Sequence, residues 1–133
     1  MSRIDWVHLG FDFGNWDEKK VWEIDLPAVE MDIKDLLWHF DMPYWTNDKK
    51  EEFSVTPWNV INKKPGTEQE QLRVERADLS YPIDILKHND RWIILDGVHR
   101  LVKTYQAGET KIKVRIFPKE RLGEIIIKEP FKS

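Results

Sequence analysis

Residues 91–108, R-W-I-I-L-D-G-V-H-R-L-V-K-T-Y-Q-A-G, constrain this chain more than any other stretch. Trp92 to Leu95 is a short apolar run of strand type. Asp96 and Gly97 turn the chain. From Val98 onward, Leu101, Val102 and Tyr105 fall on one face of a helix. Gly108 stands where a helix C-terminus favours a left-handed residue. A strand running straight into a helix creates a corner with unpaired N–H groups and the positive end of a dipole. Such a corner is ready to receive an anion.

The flanking segments extend the pattern. Residues 81–86 read as a strand, 87–90 as a polar turn, and 91–95 as the returning strand of a hairpin. In residues 111–117, Ile112, Val114 and Ile116 alternate with Lys113 and Arg115, so the first set is expected inward and the second outward. Residues 123–128 read as a last strand. Upstream, 20–26 (K-V-W-E-I-D-L) alternates and reads as a strand ended by Pro27. Residues 31–40 carry apolar side chains at 33, 36, 37 and 40, a helical spacing, with Asp32 in N-cap position and Pro43 as the stop. A second helix over 54–61 has Thr56 before Pro57 at its start. A third, over 68–77, opens on Thr67-Glu68-Gln69-Glu70, the pattern of a capping box. These elements predict an α+β fold, a small mixed β-sheet with packed helices, in one domain over 1–133.

Composition narrows the function classes. The absence of cysteine excludes disulfides, thiolate metal sites and a cysteine nucleophile. The net charge of −3 argues against a DNA-binding surface. No apolar run is long enough to span a membrane, and the N-terminal M-S-R-I-D-W-V-H lacks a signal-peptide layout. The expectation is a cytoplasmic protein with no membrane partner. His8, His39, His88 and His99 show no metal-ligand spacing.

The corner carries the chemistry. Gly97 lets the backbone approach an anion with no Cβ in the way. The N–H groups of Val98, His99 and Arg100 would face a phosphate, Arg100 and His99 would add side-chain bonds, and Lys103 one turn on would add charge. Asp96 suits a catalytic carboxylate that orients His99 or Arg100, or a ligand of Mg²⁺ bridging to the phosphates. An ordinary strand-to-helix turn would need the same glycine. The aromatic segments 11–16 and 43–45 read either as core or as a wall that stacks a base or docks a protein partner.

The run I-I-L-D-G-V-H-R-L-V-K-T-Y-Q-A-G-E-T-K-I-K-V-R-I-F resembles the ParB/sulfiredoxin superfamily over residues 81–118. Its members share a strand, a G-x-H-R type corner, a helix, a glycine and a closing I-x-V-x-I strand. The resemblance implies a ParB-like nucleotide-binding domain whose corner grips ATP, ADP or CTP with Mg²⁺ through Gly97, Val98, His99 and Arg100. Sulfiredoxins place a cysteine directly before the histidine. Val98 stands there, which removes that redox chemistry. ParB partition proteins continue into a DNA-binding domain. Only about 15 residues follow 118, so sequence-specific DNA binding is not expected. The related free-serine kinases use a glutamate from the N-terminal half as general base. The resemblance therefore points to Glu30 or Glu23, and to phosphoryl transfer onto a small hydroxyl compound, or to nucleotide hydrolysis. The alternative is a non-catalytic module that uses the corner and the Trp-rich surface for a partner.

Overall fold

In the computed structural model, which describes residues 16–127, a sheet runs β1 (Ala28–Asp32), β4 (Lys111–Phe117), β2 (Ile83–His88), β3 (Arg91–Asp96) in spatial order. β1 is antiparallel to β4, β4 is parallel to β2, and β2 is antiparallel to β3, so the sheet is mixed. α1 (Glu18–Glu23), α2 (Pro57–Ile61), α3 (Glu68–Arg76) and α4 (Val98–Gln106) pack around it, with 3₁₀ helices at Ile33–Asp41 and Lys119–Glu124. The α+β class read from the sequence holds. Among the described residues no helix is long and apolar enough to cross a membrane.

The hairpin forms as its residues dictate. Asn89 and Asp90 take φ of 50° and 61°, the left-handed pair that a two-residue turn between twisted strands requires. The turn is shorter than the sequence suggests, because Lys87 and His88 belong to β2. In β2, Ile83 to Leu86 are all buried, as befits an inner strand covered on both faces. Ile83, Ile85, Ile94 and Val114 join α2, α3, α4 and the first 3₁₀ helix in the main core. Leu86, Leu95 and Phe117 meet Val21 and Ile125 in a second core. Alternation along β4 sends Val114 to the first and Phe117 to the second. Ile116, expected inward, is exposed, and Arg115, expected outward, is half-buried.

Four segments differ from the sequence reading. Residues 20–26 are not a strand. Asp17 accepts a hydrogen bond from Lys19 N at 2.9 Å and starts α1, of which only Val21 is fully buried. The first strand is instead 28–32. Met31 and Asp32 pair with Ile112 and Lys111, so the following helix begins at Ile33; Asp32 stands at its N-cap as expected, but its side chain makes no capping bond. That helix is 3₁₀, and its three-residue turn lines up the buried Ile33, Leu36 and His39. Residues 123–127 form no strand beyond an isolated bridge between Ile126 and Trp16. Residues 11–15, half of one expected aromatic wall, lie outside the described residues.

The capping box expected at Thr67/Glu70 is also absent. The Thr67 hydroxyl donates to Lys64 O at 2.7 Å, and Asp48 accepts the Glu68 and Gln69 N–H groups in its place. The box appears at α2, where Thr56 and Asn59 exchange bonds at 2.9 and 3.1 Å.

β3 is an edge strand, and its outer side is filled by side chains. Trp38 Nε1 donates to Trp92 O, His39 Nε2 accepts from Ile94 N, and Trp16 Nε1 donates to Leu95 O. An edge sealed this way offers no row of free backbone groups for strand addition.

Candidate functional site

Gly97 holds φ +118° at the N-cap of α4, a conformation that L side chains rarely adopt. A Cβ built there would sit 2.2 Å from Ile83 Cγ2, so β2 passes directly against the corner. No side chain caps α4. Leu101 N bonds Gly97 O at 3.0 Å, which leaves the first-turn N–H groups of Val98, His99 and Arg100 without intrahelical acceptors. The corner therefore has the backbone of an anion site.

A register shift aims the neighbouring carboxylate. Ile85 lies opposite Ile94, yet Asp84 lies opposite Asp96, which leaves Leu95 as the extra residue. The shift turns Asp96 to the same side as Asp84. Asp84 in turn neighbours Arg115 on β4. Arg115 Nε donates to Asp84 Oδ1 at 2.6 Å, and its two Nη atoms bond Ile24 O and Val21 O at the end of α1.

The sequence-derived residues fall into two groups. Asp96, Gly97, Val98, His99 and Arg100 meet at the corner. Asp96 Oδ2 accepts from Trp22 Nε1 at 2.7 Å and from Arg100 Nη2 at 2.8 Å. Arg100 Nη1 also holds Pro82 O. His99 Nε2 lies 2.8 Å from Glu70 Oε1, and its ring stacks on Trp45 at 4.5 Å and 15°. Val98 packs against the main core. Lys103 is drawn away from the corner. Its Nζ donates to Glu75 O and Ala77 O at the end of α3, where a cation suits the dipole. Glu30 is exposed on β1 opposite Lys113, three strands from β3 and hence roughly 14 Å across the sheet. The structure does not bring Glu30 to Asp96. Glu23 ends α1 and is exposed.

Three residues of the site escaped the sequence reading. Arg73 and Arg76, in the last turn of α3, line a cavity of about 360 Å³ together with Gly97, His99 and Arg100. Their signal was present as basic residues three apart on a helix. Arg73 also lies 3.1 Å from Glu70, and Arg76 has no ion pair among the described residues. The third is Glu18. Its side chain is largely exposed, but its carboxyl end turns into the crowded corner. Loss of water there, then a hydrogen bond and repulsion from Asp96, push its pKa up to about 7, against a smaller pull from Arg100. No local pattern marks Glu18, because its partner Asp96 is distant in sequence.

The Glu18 shift has a definite sign. A carboxyl whose folded pKa lies above its unfolded value binds more protons when folded, so stability falls as pH rises from 4.5 to about 7. Glu18→Gln is expected to flatten that decline, and melting curves between pH 4.5 and 8 check it. A decline identical to that of the unaltered chain would refute the raised Glu18 pKa.

Among the described residues no three His, Asp or Glu side chains gather as a metal cage. No protein-family model matches this chain, and no curated protein or solved structure matches it.

Proposed function

We propose that the corner binds the phosphates of a nucleotide, ATP, ADP or CTP, at the N-terminus of α4. One observation carries the reading: the uncapped first turn of α4 opens into a cavity lined by Arg73, Arg76, His99 and Arg100. Backbone N–H groups, a helix dipole and guanidinium groups together favour a polyanion. The ParB/sulfiredoxin resemblance of residues 81–118 supports the same reading, and with it the finer fold assignment and a cytoplasmic setting.

The acid pair suits phosphoryl transfer. A base poised near neutral pH is efficient at accepting a hydroxyl proton. With a pKa of about 7, Glu18 fills that role in place of Glu30. Asp96 is the carboxylate that would hold Mg²⁺ were nucleotide phosphates to complete its shell, which leaves Glu18 as the base. Bound there, the ion would neutralise charge on the phosphoryl group. Asp96, fixed by Trp22 and Arg100, orients Glu18. The acceptor is a small hydroxyl compound, or water in the hydrolytic case.

The second reading, a non-catalytic module, draws on the exposed Trp22 and Tyr81, residue types favoured at protein interfaces.

The test is a thermal-shift panel of ATP, ADP and CTP with and without Mg²⁺. At 100 times Kd a nucleotide is expected to stabilise the chain by about 2.7 kcal/mol. Arg73→Ala/Arg76→Ala is expected to abolish the shift. Arg100 is the wrong probe, since it also holds Pro82 and Asp96. No shift with any nucleotide refutes the reading. A shift without product in a transfer or hydrolysis assay selects the non-catalytic module.

A further inference from the structure

A second cavity, of about 450 Å³, meets the phosphate cavity at Asp96, Gly97 and His99, which line both. Its volume is that of a small-molecule site. Most of its wall is apolar, with the rings of Trp16, Tyr44 and Trp45 beside Ile94, Leu95 and Ile127. The polar ends of two of these rings are turned to the protein. Trp16 Nε1 donates to Leu95 O at 2.9 Å, and the Tyr44 hydroxyl donates to Met42 Sδ at 3.4 Å. Carboxylate and imidazole groups enter through Glu18, Asp96 and His99. Asp96 and His99 belong to the shared end and Glu18 is bonded to Asp96, so the polar groups gather where the two cavities meet.

Glu18 lines this cavity and not the phosphate cavity. The base assigned above therefore faces a space beside the phosphates, where an attacking hydroxyl belongs. Arg73, Arg76 and Arg100 line the phosphate cavity, but no lysine or arginine is among the described residues that line this one. A carboxylate or phosphate on the acceptor would lie against Glu18 and Asp96 with no cation to pair with. A polyol would lose water from hydroxyls that the apolar wall cannot bond. An ammonium group would engage the Glu18 carboxylate that has to take the proton.

We infer that this cavity holds the acceptor of the phosphoryl group, and that the acceptor is an uncharged alcohol with a flat apolar body, an arylalkyl alcohol in class. The body lies among the Trp16, Tyr44 and Trp45 rings, with the hydroxyl at the Glu18 end. The hydroxyl oxygen bonds to the terminal phosphorus of a nucleoside triphosphate, and the bond from that phosphorus to the bridging oxygen breaks. The electron pair leaves with the nucleoside diphosphate, and the hydroxyl proton passes to Glu18. The free-serine kinases that the corner resembles act on an amino acid, whose carboxylate this lining does not serve. The transfer step rests on the nucleotide reading above. The alcohol site does not, since the alcohol can occupy the cavity alone.

The experiment follows phosphoryl transfer from ATP with Mg²⁺ to phenethyl alcohol, phenyllactate, ethanol and serine by the full chain. Calorimetry measures binding of the same four compounds without nucleotide, and the thermal shift with ATP is read separately. Phenyllactate adds a carboxylate to nearly the same body, and ethanol removes the ring. Phenethyl alcohol is expected to bind, and to give a kcat/KM, at least about tenfold above each of the other three. Ile127→Arg, at an exposed position on the wall, is expected to erase the preference over phenyllactate by supplying the missing cation. Glu18→Gln is expected to lower kcat at least about a hundredfold and to keep the binding of phenethyl alcohol. Equal use of the four compounds, a preference for serine or phenyllactate, or a preference unmoved by Ile127→Arg overturns the inference. A thermal shift with ATP but no transfer to phenethyl alcohol also overturns it, and leaves the nucleotide reading standing. Selective binding of phenethyl alcohol without a shift from any nucleotide removes the nucleotide reading and the transfer step, and leaves the alcohol site.

Discussion

Gly97→Ala is expected to cost about 2–5 kcal/mol of folding free energy. The backbone at Gly97 has φ +118° and ψ 22°, where a side chain brings strain of about 1–2 kcal/mol. The new methyl would also stand 2.2 Å from Ile83 Cγ2. Ile83 is buried among neighbours that leave it no exit, so β2 or the corner must shift, at roughly 1–3 kcal/mol more. Against a total stability of about 5–15 kcal/mol this is a large fraction. Urea titration followed by circular dichroism measures it. Adding Ile83→Ala separates the two contributions, since it relieves the clash and leaves the strain, so the two changes should cost less together than the sum of their separate costs. A Gly97→Ala midpoint equal to that of the parent would mean that the corner is not built as described.

His39 carries the second large effect. It is fully buried, shares a bond of 2.7 Å with Leu36 O through Nδ1, and accepts the Ile94 N–H through Nε2 at 3.1 Å. Accepting at Nε2 puts the ring proton on Nδ1, so the imidazole must be neutral. Burial, with a smaller contribution from Arg91, lowers its pKa from 6.5 to about 4. A histidine that resists protonation when folded leaves the unfolded chain binding more protons. Stability is therefore full above pH 6.5 and falls by about 3 kcal/mol as pH drops toward 4. His39→Leu is expected to abolish this loss and to cost about 1–3 kcal/mol at pH 7, because the Ile94 N–H is left without an acceptor. His39→Ala adds a cavity and is expected to cost more. Denaturation midpoints from pH 4 to 8 check both, and an undiminished acid loss in His39→Leu would assign it elsewhere. The Glu18 contribution runs in the opposite direction over an overlapping pH range, so the two partly offset each other in the unaltered chain, and each variant is read as the change in slope it causes.

Where local chemistry decides, the sequence was legible. The hairpin, β4, α4 with its two glycines, and the Thr56–Pro57 helix start each follow from residues a few positions apart. Where partners lie far apart, it was not. The alternation in 20–26 fits a strand as well as a helix. What secures the helix is Arg115 gripping its last carbonyls and Trp22 reaching Asp96. Residues 28–32 gain their strand conformation from β4, since A-V-E-M-D has little strand preference of its own. Thr67 and Glu70 match a capping box in spacing, but Glu70 is buried against His99, a contact across 29 residues. The corner itself was legible as a strand-to-helix junction at Asp96 and Gly97. Its surroundings were not, because Arg73, Arg76 and Glu18 arrive from elements whose approach only the folded chain defines.

The register of the sheet also orders assembly in time. β2 and β3 are joined by two residues, so their pairing closes at little entropic cost, and the corner with α4 follows directly in the chain. Ala28 meets Arg115 only by closing a loop that spans most of the described chain. The hairpin and corner should therefore arise early, and the row Arg115–Asp84–Asp96 late, once β4 docks between β1 and β2. A ligand that needs that row recognises the last step of folding. In stopped-flow refolding, its binding should track the slowest phase, after the hairpin signal is complete.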